Sequence, residues 1–244
     1  MKKFIFTMII TIFTMFLLAS CGNAEGNSTS FGRDMSEEYV QTQTMHGMLR
    51  MYSDFASMIL DSGFTAEIIP GSGKILVRAE VLDEWTELVD SMARTRELTG
   101  EDLDPWYEPR TFHRIRILEV FFEEDGLDIG EVNPGDILDI NQVGGRVGNR
   151  QLITEMAPIA VGDDLIMFLM TGGGGASPHP IQAVYHTPPE LASSQTIMEA
   201  THTQSISEDL ILQSVNPDNN LTLTMGDIIH IYETYTNPPS SATN

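Results

Sequence analysis

From Lys74 to Tyr235 the chain is a succession of short apolar runs, each closed by a turn signal. Runs of about four to eight residues between glycine, proline and acid clusters suit strands. Ile75, Val77, Ala79 and Val81 alternate with Arg78 and Glu80, the pattern of a half-buried strand. Glu84–Glu97 reads as a short helix, and Leu98–Arg110 as an acidic loop carrying Trp106 and Tyr107. Strands are expected over Thr111–Phe122, Ile137–Val143 (ended by Gly144-Gly145), Gln151–Ile153 and Asp164–Thr171. The last is apolar throughout, as a strand buried on both faces would be. Gly172–Gly175 breaks it, and further strands are expected at Gln182–His186, Gln195–Met198, Asp209–Gln213, Asn220–Thr224 and Asp227–Tyr235. This spacing favours a mainly β fold, a single antiparallel barrel- or sandwich-like domain, over alternating βα units.

Three runs share one introduction. Gly135-Asp136, Gly162-Asp163 and Gly226-Asp227 each stand directly before apolar residues. Glycine accepts positive φ in a tight turn, and aspartate bonds nearby backbone amides, so each pair predicts a turn that starts a strand in fixed register. Three converging aspartates holding a metal is the alternative.

Ahead of the β-like region, Thr42–Asp61 carries Met45, Met48, Leu49, Tyr52, Phe55, Ala56 and Ile59 at steps of three and four, with Gly63 following. That predicts an N-terminal amphipathic helix ended by a left-handed glycine. Its methionines suit docking on the chain's own domain or a pliable partner-binding face.

Met1–Cys21 has another logic. Lys2 and Lys3 precede an uncharged apolar run, Phe4–Ala19, and small residues lead to Cys21. A positive start and a short apolar run form an export signal, shorter than the ~20 residues a spanning helix needs. Leu18-Ala19-Ser20-Cys21 resembles the lipobox of bacterial lipoproteins. The resemblance implies cleavage before Cys21 and a diacylglyceryl group on its sulfur, tethering the protein to the cell membrane on its outer side. Two or more acyl chains hold a protein stably where one holds it marginally. Cys21 is the only cysteine. With its thiol capped, the rest of the chain has neither disulfide nor thiol chemistry and depends on core packing. The expected organisation is a signal over 1–20, a flexible Gly-, Ser- and Asn-rich linker over 21–40, a β-rich domain over 41–236 and a polar tail over 237–244.

Formal charge is −22, and loss of Lys2 and Lys3 with the signal makes it −24. Lys74 is then the one lysine beside ten arginines. Such a balance excludes nucleic acid as a partner and electrostatic adhesion to anionic lipid. It admits divalent cations and basic partners, or simply serves solubility.

A second resemblance covers about Leu76–Thr171. Thr111, Ile115, Ile117 and Val120, then Gly135-Asp136-Ile137, Gly144-Gly145, and Gly162-Asp163 with Phe168-Leu169, resemble a β-rich extracytoplasmic domain of uncharacterised proteins from Gram-positive bacteria. The resemblance implies a fold and no activity. The chain departs from it after Val120, where Phe121-Phe122 and an acidic insertion stand, and beyond Gly172.

Catalytic signatures are missing. There is no Gly-x-Ser-x-Gly, His-Glu-x-x-His or phosphate loop, and no two of the six histidines stand at i,i+2 or i,i+4. Asp125, Asp128, Glu131 and Asp136 are candidate calcium ligands, or a solvated acidic loop. Trp106 and Tyr107 are a candidate platform for a sugar or peptide, or aromatics folded onto the core. The leading expectation is a non-enzymatic binding or assembly module at the cell surface, its partner a surface protein or glycan. The alternatives are an extracytoplasmic hydrolase using two carboxylates and a solute-binding lipoprotein of a transporter.

Overall fold

The computed structural model describes residues 41–44, 58, 73–172, 175–189, 191, 196–202 and 206–236. All belong to one compact unit, Glu38–Asn244. The fold is mainly β, built around a closed five-stranded barrel. The strands are β1 Gln41–Thr44, β2 Gly73–Asp90, β3 Tyr107–Glu123, β4 Ile137–Val143, β5 Gly145–Val147, β6 Arg150–Ile153, β7 Asp164–Gly172, β8 Gly175–Pro178 and β9 Val184–His186. The helices are α1 Ala93–Thr99, α2 Ile197–His202 and α3 Met225–Ile231, with a π-helical turn at Tyr232–Thr236.

β2 pairs antiparallel with β3 on one side and β7 on the other. β3 pairs with β4, and β7 with β8. One parallel contact, Ile140 opposite Ala176, closes the ring. β9 lies against β7 outside it. Register shifts after Leu76, Arg78 and Val81 curl β2, as closing so small a sheet requires. Ile75, Val77, Ala79, Val81, Ile115, Ile117, Ile140, Leu165, Met167 and Leu169 are sealed from water. Each of these side chains except Ala79 contributes about 1.5–3 kcal/mol relative to exposure. β7 is buried on both faces from Leu165 to Leu169, with Leu165, Met167 and Leu169 alternating with Ile166 and Phe168.

Two of the three Gly-Asp pairs are the expected turns, and they match bond for bond. Asn133 N–H donates to Asp136 Oδ2 at 2.8 Å, and Ala160 N–H to Asp163 Oδ2 at 2.9 Å. Gly135 and Gly162 stand at φ +96° and +92°, where a Cβ would be strained. Gly135 N–H donates to Ile117 O and Ile117 N–H to Asp136 O; Gly162 N–H donates to Val81 O and Val81 N–H to Asp163 O. One turn thus starts β4 on β3, and its twin starts β7 on β2.

The third pair does something else. Thr224 N–H donates to Asp227 Oδ2 at 2.8 Å, the same reach back, but the Thr224 hydroxyl accepts from Asp227 N–H, completing a capping box. Asp227–Tyr235, expected as a strand, is therefore α3 and the π turn. Gln195–Met198 is corrected likewise. Thr196 and Glu199 exchange side-chain and backbone bonds, and a helix follows. Asp209–Gln213 and Asn220–Thr224 meet only in a single bridge, Ile211 to Thr224.

The Glu84–Glu97 helix is also corrected. Residues to Asp90 continue β2, because every position from Asp83 to Asp90 finds a partner on β3, and α1 begins only at Ala93. Cross-strand pairing overrides the helical preference of its acids. Of the N-terminal amphipathic helix, Gln41–Thr44 is a strand parallel to β6, so its first residues are not helical. Met58 is helical and buried; the remainder lies outside the described residues. So do the signal, Cys21, the linker and the tail.

A buried charge group joins the barrel to the C-terminal layer. Arg78, 2% exposed, stands opposite Glu119 on β3 and grips Asp164 with two bonds of 2.9 and 2.6 Å. Thr187 donates to the same carboxylate. Glu119 accepts the N–H groups of Ile197 and Met198, satisfying donors at the start of α2. Burial raises the Glu119 carboxyl above its ordinary value, against the pull of those two amides and of Arg78. Removing one member would leave charge buried without compensation.

Candidate functional site

Beyond Val81 and Ile115 the β2–β3 ribbon runs on past β7, which ends its pairing at Glu80. The outer ribbon and α1 form an arm. On one face Trp85 stacks on Phe112 with centroids 5.3 Å apart, and the Arg114 guanidinium lies 5.3 Å from the Trp85 ring while pairing with Asp139. On the other, Thr86 and Thr111 hydroxyls approach to 3.3 Å. β5 crosses this face so closely that a side chain at Gly145 would collide with both threonines.

Asp90 organises the tip. Its Oδ1 accepts from Met92 N–H and Trp106 N–H, and Oδ2 pairs with Arg96. The Arg96 hydrogen bond holds this carboxyl below the usual range. The tip nevertheless buries little. α1 has no buried residue, Trp106 is 43% exposed and Tyr107 50%, with Leu88, Met92 and Leu98 also exposed. Trp106 and Tyr107 therefore do not fold onto the core. A seven-residue helix is marginal by itself, and so is a two-stranded ribbon.

A cleft of about 350 Å³ opens beside the barrel where β4, β7 and β8 meet the chain after β6. Val143, Met170, Pro178 and Pro180 give it apolar walls; Arg110 and Asn141 form its polar side. The Arg110 guanidinium binds Glu108 and donates to Asn141 Oδ1 at 3.0 Å, so its charge is already matched. Among the described residues the lining holds one carboxylate, Glu155, where glycoside hydrolysis uses two.

Beneath the cleft lies a polar patch inside the barrel end. Gln142 both accepts from and donates to the Ala157 backbone and faces His113 Nε2 at 3.4 Å. His113 is buried and its Nδ1 has no hydrogen-bond partner among the described residues; Glu84 Oε2 is 3.9 Å away. Burial lowers the imidazole below its ordinary value, and Glu84 offsets this in part.

Asp125, Asp128, Glu131 and Asp136 all lie between β3 and β4. Leu127 and Val132 tie this loop to the core, and Glu123 accepts the Val132 N–H. Asp136 is engaged in its turn. Among the described residues no group of three or more His, Cys, Asp or Glu is gathered to hold a metal ion. Cys21 lies outside the described residues.

No protein-family model, curated protein or solved structure matches the chain. The arm was hidden in the sequence because Leu82–Asp90 mimics a helix. The signals that betray it are Trp85, which is placed to stack across strands, and Pro109, a residue suited to a sheet edge.

Proposed function

We propose that this protein is a lipid-anchored extracytoplasmic module that captures a cell-surface partner, and that it is not an enzyme. Lys2, Lys3, the apolar run and Cys21 support export and anchoring. The arm carries the capture reading. An organised tip that shows water Trp106, Tyr107 and Leu98 gains its packing only when something covers it. A cleft whose described lining holds a single carboxylate favours binding over hydrolysis. A linker over 21–40 gives the domain reach from the membrane.

A photo-crosslinking amino acid at Tyr107, in intact cells, tests this. Adducts to a defined surface component are expected from position 107 and not from Ile211, which is 64% exposed and lies in the C-terminal segment bridged to Thr224. Equal or absent labelling at the two positions contradicts capture by the arm. Labelled palmitate that stays off Cys21 contradicts the anchor.

A further inference from the structure

We propose that the outer edge of β2, within Asp83–Asp90, takes up an extended strand from a cationic polypeptide. The inference rests on the reading of the arm as a capture element and names its partner's class.

The backbone carries the argument. Leu88 stands opposite Pro109, which has no N–H, so these two cannot exchange ladder bonds. Bonding therefore alternates. Glu87–Arg110 and Val89–Glu108 are bonded pairs, while Thr86 and Leu88 turn their N–H and C=O away from β3. The flanks agree: Ser91 N–H donates to Trp106 O, and Pro109 O is taken by Gly144 N–H on the far side of β3. β7 is no longer there to meet Thr86 and Leu88, and no described residue bonds to their N–H groups. An edge of this kind is a template for one more strand.

Charge selects which strand. Asp83 and Glu87 form no ion pair among the described residues. The one ionic neighbour of Glu84 there is His113, 3.9 Å away, whose imidazole burial holds below its ordinary value. The arginines nearby are engaged: Arg96 by Asp90, Arg110 by Glu108, Arg114 by Asp139. A second copy of this chain brings the same acidic edge and a formal charge of −22, and is repelled. A strand with lysine or arginine at alternate positions meets carboxylates instead. At the tip, Trp106 and Tyr107 can then lie against its aliphatic or cationic side chains.

The test uses the full-length chain and a fluorescent peptide of about nine residues alternating lysine with valine or threonine. Two further versions carry N-methyl groups along one edge or the other of the extended peptide. Strand addition predicts that one version loses affinity about tenfold or more and the other keeps it, since a strand bonds through one edge only. A glutamate counterpart should not bind, and D83K/E87K, which alters exposed side chains and frees the Glu84 N–H from Asp83 Oδ1, should reverse the preference. Hydrogen exchange at Thr86 and Leu88 should slow when the peptide binds. Parent peptide binding with neither N-methyl version impaired overturns strand addition, even if position 107 still labels a partner in cells, which would preserve capture. No binding overturns it as well. Thr86 and Leu88 amides already protected in the free chain overturn it too, by showing the edge covered by the chain's own residues.

Discussion

Between Ile75 and Glu80, β2 has a strand on each side; between Asp83 and Asp90 it has β3 alone. The same strand thus passes from a sealed barrel wall to an exposed ribbon. In the inner half Ile75, Val77 and Ala79 are fully buried, as is Ile117 opposite Ala79. In the outer half the gains are a Trp85–Phe112 stack, a threonine pair and charge pairs at the rim. Closing the ring spends every ladder group of the inner half on the fold itself. The outer half keeps some for another molecule.

Stability should follow that division. Ile117→Ala removes a fully buried side chain from the barrel and should cost about 3 kcal/mol, read from chemical denaturation. If it costs no more than an arm substitution, the inner half is not the core.

The turns should come next. Gly135→Ala and Gly162→Ala each force a Cβ into left-handed backbone and should cost about 1–2 kcal/mol. Gly226→Ala should cost less, because the third pair sits in a right-handed helix and its nearest neighbour, Glu208 O, would be 3.2 Å from the new Cβ. Equal costs would mean that glycine is chosen for space and not for φ.

The junction between the halves should respond to pH. His113 is held below its ordinary value of 6.5 in the fold, so the unfolded chain binds a proton that the folded chain refuses. Stability should then rise with pH through the window from the lowered value to 6.5, and fall on acidification through it. His113→Gln should flatten that part of a melting-temperature profile from about pH 7.5 to 5.5. An unchanged slope would place the titrating group elsewhere.

The smallest effect belongs to the tip. Trp106→Ala should change stability by less than about 0.5 kcal/mol, because the ring is already half in water. A loss comparable to that of Ile117→Ala would make the tryptophan structural and remove the platform.

The barrel was legible in the sequence for a physical reason. Strands buried against two neighbours show alternation or continuous apolar character, and Ile137–Val143 has the limits its residues imply. Misread elements were those whose local signal was shared by two structures. Asp227 follows a glycine as Asp136 and Asp163 do, and makes the same bond to the residue three before it. What separates them is a hydroxyl: Thr224 at the third position back, and Thr196 before Glu199 in α2. Threonine three residues ahead of an acid is a helix start that can be read without coordinates. The outer ribbon was less accessible, since Glu84 and Glu87 suit a helix and only distant Phe112 and Thr111 show otherwise. Of the candidate site residues, Trp106 and Tyr107 stand together at the tip, and Asp136, of the acids between β3 and β4, serves its turn.

Hydrogen exchange resolved along β2 tests the central claim most directly. Val77 and Ala79 should exchange only on global opening, while Thr86 and Leu88 exchange faster by orders of magnitude in the partner-free chain. Uniform protection from Gly73 to Asp90 would contradict the division of the strand into a closed wall and an open edge.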